Sequence, residues 1–132
     1  MKSAENSREM AVSYSVFLVE DEAIIRMMVA GMLEELGHTV AAEAGTIEQA
    51  IELATSSEFD FAILDLNVAG NMSFPVAEII RARDLPVIFA SGYGAQTLPA
   101  EYRGYPLLQK PFTVSQLERQ ISITLTEHRA GR

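Results

Sequence analysis

Five short apolar runs that alternate with helix-forming segments constrain the fold of this chain more than any other feature of its sequence. The runs have the length and composition of β-strands and lie at residues 16–19, 39–44, 61–64, 85–90 and 107–109. Strands that alternate with helices form a parallel sheet with helices on both faces, because each crossover is right-handed and covers one face. The β-α order, repeated five times, therefore predicts an α/β fold with a doubly wound, five-stranded parallel sheet.

Helix signals mark the segments between and after the strands. The predicted helices span residues 23–36, 47–56, 75–83 and 114–125. Thr46 and Gln49 form a capping-box pattern at the start of the second helix, and Thr113 or Ser115 is expected to cap the last one. Residues 92–106 hold three glycines and two prolines, so any helix there is expected to be short or mobile.

Charge and composition narrow the class of partner. The 132 residues include 18 acidic and 10 basic side chains, a net charge of −8, which argues against nucleic acid or an anionic membrane as a direct partner. A cation or a basic protein surface fits better. The absence of cysteine excludes a disulfide framework and a thiolate metal site. No apolar run approaches the ~20 residues of a membrane span and no signal peptide is evident, so we expect a cytoplasmic protein.

The sequence predicts one domain with a tail at each end. Residues 1–13 are polar and lack periodicity, which predicts a flexible N-terminal tail, and residues 127–132 are expected to form a C-terminal tail. Residues 14–126 then form the domain, which has the usual size for a single hydrophobic core. The segment after the last predicted helix is too short for an output domain. We therefore expect any output to be a change in what this domain binds.

Polar side chains follow the predicted strands where each strand ends. Glu20 and Asp21 follow the first strand, Asp65 the third, Ser91 the fourth and Lys110 the fifth. In a parallel sheet the carboxyl ends of the strands meet at one edge, and ligands bind there. Three carboxylates that converge would repel one another unless a cation lies between them. Hard oxygen ligands of this kind suit Mg²⁺, so we predict a magnesium site at this edge.

Asp65 is the candidate nucleophile of this site. An aspartate beside a divalent ion, a lysine and a hydroxyl is equipped to attack phosphorus, because phosphoryl transfer depends mostly on positioning and charge neutralisation. Lys110 would supply a fixed positive charge that holds the incoming group. The alternative is a buried salt bridge between Asp65 and Lys110 that only closes the fold. The other polar groups at the strand ends favour the site over that alternative.

Four short motifs in order now resemble a known family. They are VEDE at 19–22, LDLN at 64–67, FASGYG at 89–94 and QKPF at 109–112. Together they look like a two-component response regulator receiver domain, and the likeness covers residues 15–126. The resemblance implies a flavodoxin-like receiver fold with strand order 2-1-3-4-5. It also implies a phosphoprotein of a two-component system or phosphorelay.

The resemblance implies a role for each acidic residue of the site. Asp65 would accept phosphate from a histidine kinase or a histidine phosphotransfer protein. Asp21 and Asp65 would bind Mg²⁺, with Glu20 in support, and Asn67 would offer its backbone carbonyl to the metal. The product would be an aspartyl phosphate on Asp65.

The same resemblance implies how the phosphoryl group is held. Ser91 would bond one of its oxygens after transfer, and Lys110 would pair with the phosphate. The Lys110-Pro111 bond would be cis, a form that proline makes accessible. The FASGY form of the fourth-strand motif resembles the FAT GUY subgroup of receivers, with Ser91 in place of the usual threonine.

One departure from the family pattern bears on how the phosphorylated state is read out. Typical receivers carry an aromatic residue three positions before the lysine, whereas this chain has Leu107. Tyr93 is a possible alternative switch residue, and Tyr102 and Tyr105 are further candidates. A purely structural role for all three, as cover for the 92–106 segment, is equally open.

The first predicted helix is apolar nearly all round. Six of its residues form one arc suited to the sheet: Ile25, Met28, Val29, Met32, Leu33 and Leu36. Ile24, Met27, Ala30 and Gly31 fall outside that arc, which predicts an exposed apolar patch beside the acidic site. We expect Ile24, Met27 and Gly31 to dock the helices of a kinase or phosphotransfer domain, because methionine adapts to partners and small residues allow close approach.

Two further classes of function remain open beside the leading hypothesis. The leading one is a stand-alone signalling module, not an enzyme, that acts through protein contacts with an unknown downstream protein, as an intermediate, a phosphate sink or a feedback regulator of its kinase. Its only catalysis would be its own phosphorylation and slow dephosphorylation. An aspartyl-phosphate phosphatase would usually need a second aspartate at position 67, where this chain has Asn67. A binding domain that works without phosphorylation is the third hypothesis.

Overall fold

The computed structural model describes residues 12–131, and its centre is one five-stranded parallel sheet. The sheet strands are β1 (Ser15–Val19), β2 (Thr39–Ala44), β3 (Phe61–Asp65), β4 (Val87–Ser91) and β5 (Leu107–Gln109). Their order across the sheet is β2-β1-β3-β4-β5, and every neighbouring pair is parallel. The predicted fold and the predicted strand order 2-1-3-4-5 are therefore confirmed. Of the predicted N-terminal tail, residues 1–11 lie outside the described part of the chain.

Four α-helices flank the sheet in the described part of the chain. They are α1 (Ala23–Glu35), α2 (Ile47–Ser56), α3 (Phe74–Ala82) and α4 (Val114–Ala130). The last helix runs five residues past its predicted end at Leu125, so residues 127–130 are helical rather than a tail. Two basic residues in its last turn, His128 and Arg129, favour the extension because cations interact well with the negative end of the helix dipole.

The connection between β4 and β5 contains two 3₁₀ turns in place of an α-helix. They span Ala95–Thr97 and Ala100–Tyr102. The prediction of a short helical element here is confirmed, and Pro99 lies between the two turns, where it removes one backbone donor. The fifth α-helix implied by a strict β-α repeat is absent from residues 92–106.

The observed caps of two helices differ in detail from the predicted ones. Thr113 and Gln116 complete a reciprocal capping box at the start of α4, so Thr113 and not Ser115 is the cap. Thr46 accepts a hydrogen bond from the Gln49 backbone nitrogen at 3.1 Å. The Gln49 side chain instead accepts from the Gly45 backbone at 3.1 Å, so only half of the predicted capping box forms at α2.

The core has two layers, one on each face of the sheet, because side chains alternate along the strands. One layer packs α1 and α4 against the sheet through Val29, Leu33, Leu117 and Ile121. The other packs α2 and α3 through Ala50, Ala54, Val76 and Ile80. Strands β3 and β4 are buried on both faces, which explains their continuous apolar sequence.

A short antiparallel hairpin follows β3, where the sequence predicted only a loop. It pairs Asn67–Val68 with Asn71–Met72. Ala69 and Gly70 form the turn with positive φ angles of 51° and 90°. The Asn67 side chain accepts a hydrogen bond from the Gly70 nitrogen at 2.8 Å, which stabilises the turn.

Within residues 12–131, every helix is too short or too polar to cross a membrane.

Candidate functional site

The carboxyl edge of the sheet brings together the polar residues that close the strands. Asp65 ends β3 and Ser91 ends β4, whereas Lys110 directly follows β5. Glu20 and Asp21 follow β1, and carboxylate oxygens of Glu20, Asp21 and Asp65 all lie within 4.8 Å of one another. The structure thus joins residues up to 90 positions apart in one acidic site.

Lys110 lies between two of these carboxylates. Its Nζ is 3.0 Å from Glu20 Oε1 and 3.3 Å from Asp65 Oδ1. The other oxygen of Glu20 accepts the backbone N–H of Glu22 at 3.0 Å. Both Glu20 oxygens are therefore engaged, which gives this carboxylate a fixed orientation in a buried position.

The carboxyl group of Asp65 is held in an unfavourable environment for its charge. Burial raises the pKa of Asp65 to about 6, and the negative charges of Glu20 and Asp21 add to the rise, whereas Lys110 opposes it. Burial alone would lower the pKa of Lys110, but its bonds and attraction to Glu20 and Asp65 raise it overall. When all four groups are ionised, three carboxylates face one ammonium, so the site favours an added cation.

Asp21 connects this site to the hairpin after β3. Its Oδ2 accepts the backbone N–H of Ala69 at 3.0 Å. The side-chain oxygen of Asn67 is used in the hairpin turn, where it accepts from the Gly70 backbone N–H. Three hard carboxylate oxygens close together, with solvent access through Asp21, form a donor set that fits Mg²⁺.

The Ser91 side chain is buried beside the acidic residues. Its Oγ accepts the backbone N–H of Tyr93 at 3.0 Å, and its carbonyl accepts the backbone N–H of Lys110 at 2.7 Å. Because the hydroxyl oxygen accepts in this arrangement, its proton remains for donation to another oxygen. The Lys110-Pro111 peptide bond is cis.

The three tyrosines named as switch candidates have different environments. Tyr93 is 72% exposed. Tyr102 is buried, and its hydroxyl donates to Glu78 Oε2 at 2.7 Å. That hydrogen bond, together with burial, raises the pKa of Tyr102 to about 12. Tyr105 packs on Phe89 with ring centroids 5.3 Å apart.

An aromatic cluster joins α3, β4 and the second 3₁₀ turn. Tyr102 stacks on Phe74 with centroids 4.2 Å apart and an interplanar angle of 14°, and both rings lie edge-on to Phe89. Leu107, at the position where the resemblance implies an aromatic residue, pairs with Phe89 in the sheet and packs on the same core layer. The cluster thus provides aromatic contacts beside Leu107, which has no aromatic ring of its own.

An exposed apolar patch lies on α1 beside the acidic site. Ile24 and Met27 are 74% and 71% exposed, and Gly31 faces open space. Met28 was expected to face the sheet but is 57% exposed, whereas Ala30 was expected outside and packs on the core. The prediction is wrong for these two because the buried face of α1 is centred on Val29 and Leu33, nearer to Ala30 than to Met28 on the helix surface.

A groove continues this patch toward the site. It has a volume of about 290 Å³ and lies between α1 and the segment after β5. Its lining includes Met28 and Met32 of α1 and Lys110, Pro111 and Phe112 of the segment after β5. The apolar surface of α1 is thus continuous with the residue that pairs with Asp65.

Comparison with known proteins identifies the family of this arrangement. A family model for the response regulator receiver domain matches residues 16–122. The chain belongs to this family. Receiver domains are signalling domains of two-component systems, and in this receiver Glu20, Asp21 and Asp65 form an acidic cluster at the strand ends.

Three similar proteins illustrate the relationship. The transcriptional regulatory protein PdtaR of Mycobacterium tuberculosis is 31% identical over 133 residues, which cover 98% of this chain and 65% of PdtaR. The solution structure of SdrG from Sphingomonas melonis Fr1 has a TM-score of 0.77 and 36% identity, over 88% of this chain and 99% of SdrG. The receiver of PhyR from Erythrobacter litoralis has a TM-score of 0.75 and 31% identity, over 86% of this chain and 91% of that one. This chain spans about two thirds of PdtaR, which is longer.

Sequence reasoning missed two contacts at the site. Arg26 Nη1 donates to the Glu20 carbonyl at 2.7 Å, and Ala69 donates its backbone N–H to Asp21. No sequence signal marks Ala69, because its contact uses only the backbone. Arg26 does carry a signal, since it is the only basic residue in the largely apolar α1.

Proposed function

We propose that this receiver is switched by phosphorylation of Asp65, with the phosphoryl group coming from a histidine kinase or a histidine phosphotransfer protein. The observation that carries the proposal is the position of Lys110, 3.3 Å from Asp65 Oδ1, within a cluster of three carboxylates. A salt bridge that only closed the fold would need one carboxylate, not three.

The chemistry assigned to this chain begins with Asp65. A carboxylate oxygen of Asp65 attacks the phosphorus of a phosphohistidine, the P–N bond breaks, and its electron pair returns to the imidazole nitrogen, which takes up a proton. The product is an aspartyl phosphate. Because the pKa of Asp65 is raised to only about 6, the carboxylate is mostly ionised and nucleophilic at neutral pH.

Lys110 and Ser91 hold the transferred group. The Lys110 ammonium moves from its contact with Asp65 Oδ1 to a phosphoryl oxygen. The Ser91 hydroxyl donates to a second phosphoryl oxygen. Because Ser91 Oγ only accepts from the Tyr93 backbone N–H, its own proton is free to be donated to the phosphate. The new hydrogen bond from Ser91 to the phosphate is the local event that starts the switch.

A metal site completes the proposal. Asp21 and Asp65 would hold Mg²⁺ together with the backbone carbonyl of Asn67, and Glu20 would support the site through its contacts with Lys110 and Glu22. When bound, Mg²⁺ neutralises the charge that develops on the transferred phosphoryl oxygens.

The partners are proteins that meet the apolar patch on α1. We assign docking of the kinase or phosphotransfer domain to Ile24, Met27 and Gly31, which are exposed and lie on the helix that follows the acidic loop. The downstream partner is a protein as well, since the net charge of −8 disfavours nucleic acid. The FASGY sequence at β4 supports membership of the FAT GUY subgroup.

No observation favours the phosphatase hypothesis. That reaction usually needs an acid–base carboxylate two residues after the nucleophile, and position 67 holds an asparagine whose Oδ1 accepts a hydrogen bond in the hairpin turn. The passive-binding hypothesis gives no role to the raised pKa of Asp65 or to the convergence of three carboxylates.

Intact mass after incubation with acetyl phosphate and Mg²⁺ tests the proposed function. We expect a gain of one phosphoryl group, about 80 Da, that disappears in Asp65→Asn and when Mg²⁺ is withheld. A phosphorylated phosphotransfer protein serves as the second donor. A folded protein that gains no mass from either donor would overturn the proposal.

A further inference from the structure

The loop that carries Glu20 and Asp21 is held from outside the site by one side chain. Arg26, on the first turns of α1, donates from Nη1 to the Glu20 carbonyl at 2.7 Å and from Nε to Glu43 Oε1 at 3.2 Å. A single guanidinium therefore joins the loop after β1 to the end of β2. The short Glu20 contact is to a backbone oxygen, so it fixes the main chain of the loop.

The main chain at Glu20 is consequently held at both of its polar groups. Its N–H donates to the Ala44 carbonyl at 3.0 Å, and its carbonyl accepts from Arg26. Its side chain is fixed by Lys110 and by the backbone of Glu22. Asp21 follows directly, so the position of its carboxylate depends on how firmly Glu20 is held.

Gly45 leaves the space that Arg26 occupies. A Cβ added at Gly45 would lie 3.0 Å from Arg26 Nη1 and 3.8 Å from the Glu20 carbonyl. The first distance is tighter than most Cβ contacts, so with a side chain at position 45 the guanidinium has to shift by a few tenths of an ångström from its place against Glu20. A glycine at position 45 is therefore favoured by the space that Arg26 needs and not by the backbone conformation of residue 45.

A purely electrostatic role and a positioning role of Arg26 predict opposite effects on cation binding. A guanidinium near three carboxylates repels Mg²⁺, so removal of the charge would strengthen metal binding if Arg26 acted only through its field. Glu43 offsets much of that charge at the surface. A role in positioning predicts weaker metal binding when the contact with Glu20 is lost, even if the positive charge is kept.

We propose that Arg26 is a positioning residue for the acidic loop, that it fixes Glu20 and Asp21 in the geometry that accepts the metal, and that Gly45 is required for its close approach. The metal part of this inference rests on the proposed function. The positioning part concerns the loop itself and is measurable without metal.

Two variants perturb the contact without removing positive charge. Gly45→Ala displaces the guanidinium, and Arg26→Lys keeps an ammonium that cannot donate to Glu20 and Glu43 in the same fork geometry. Gly104→Ala is the matched control, because a Cβ there meets no atom within 4 Å. A third variant, Arg26→Gln, removes the positive charge as well as the guanidinium.

Two measurements are made on each variant. Amide hydrogen exchange of the metal-free protein by NMR reports how firmly Glu20 and Glu22 are held, since their N–H groups bond to Ala44 and to the Glu20 side chain. Titration calorimetry with Mg²⁺ reports the affinity. We expect Gly45→Ala and Arg26→Lys to lose protection at both amides and to bind Mg²⁺ about 10-fold more weakly, whereas Gly104→Ala matches the wild type.

The outcomes separate this inference from the proposed function. Unchanged amide protection in Gly45→Ala and Arg26→Lys would overturn the positioning role, as would tighter Mg²⁺ binding in Arg26→Gln with normal protection. If the wild type binds no Mg²⁺, the metal role in the proposed function fails. Loss of protection in both variants would still establish Arg26 as the residue that holds the loop.

Discussion

Lys110 Nζ lies 3.3 Å from Asp65 Oδ1, although Asp65 ends β3 and Lys110 follows β5. The same nitrogen lies 3.0 Å from Glu20 Oε1. One ammonium thus offsets part of the repulsion between two buried carboxylates. The charge balance of the site depends on Lys110, and we expect the stability of the metal-free protein to depend on it as well.

Replacement of Lys110 by Met should destabilise the metal-free protein at pH 7 by about 1–3 kcal/mol, because two buried carboxylates lose their shared cation. The pKa of Asp65 should rise further, since Lys110 is the group that lowers it. At pH 5 the carboxyl is protonated and the loss should shrink. Thermal unfolding followed by circular dichroism at both pH values measures this, and an equal loss at both would contradict it.

Asp65→Asn should stabilise the metal-free protein at pH 7. The folded-state pKa of about 6 lies above the ordinary value of 3.8, so the folded protein binds the proton more tightly and loses stability as pH rises from about 4 through 6. The amide removes that cost, and we expect a gain on the order of 1 kcal/mol after solvent screening. The gain should decline below pH 6. Chemical denaturation at pH 7 and pH 4 tests the sign, and a less stable variant at pH 7 would refute it.

Mg²⁺ affinity should fall as pH drops through about 6. A proton on Asp65 competes with the metal, so well below that pH the apparent affinity should decrease by about tenfold per pH unit. Calorimetric titrations between pH 7.5 and pH 5 measure the dependence. An affinity that stays constant over this range would show that Asp65 is not a ligand.

Tyr102→Phe should destabilise the protein by about 1 kcal/mol, because it removes the hydrogen bond to Glu78 and leaves the aromatic stacking on Phe74 in place. A double-mutant cycle with Glu78→Gln isolates the pair. Tyr93→Phe is the control, since this hydroxyl lies on a side chain that is 72% exposed and should change stability little. Equal effects of the two tyrosine substitutions would rule out a special role for the Glu78 contact.

Met27→Glu should slow phosphotransfer from a protein donor by about tenfold or more while leaving the rate with acetyl phosphate unchanged, because only a protein donor contacts the exposed face of α1. Ile51→Glu is the matched control: it introduces the same charge on α2, where the side chain is also exposed. Phosphorylation kinetics with both donors measure the effect. Equal slowing with both donors, or by both variants, would contradict docking on this face.

The sequence by itself determined the sheet and the residues at its edge. Strands β3 and β4 could be located because strands buried on both faces are apolar throughout. Asp65 and Lys110 could be placed together because parallel strands end at a common edge. These signals come from local composition and from the topology of the sheet, so they can be read without knowing any particular side-chain contact.

Tertiary structure alone decided which side chains meet across the fold. The buried face of α1 is centred on Val29 and Leu33, so Met28 is exposed and Ala30 packs inward, which periodicity within an apolar helix did not resolve. Burial and the bond to Glu78 distinguish Tyr102 from Tyr93, although both lie in the same glycine-rich segment. Arg26 contacts the acidic loop through the backbone carbonyl of Glu20, and Ala69 contacts it with its own backbone N–H, which Asp21 accepts. Such contacts depend on distances between segments remote in sequence, which hydrophobic patterning along the chain does not encode.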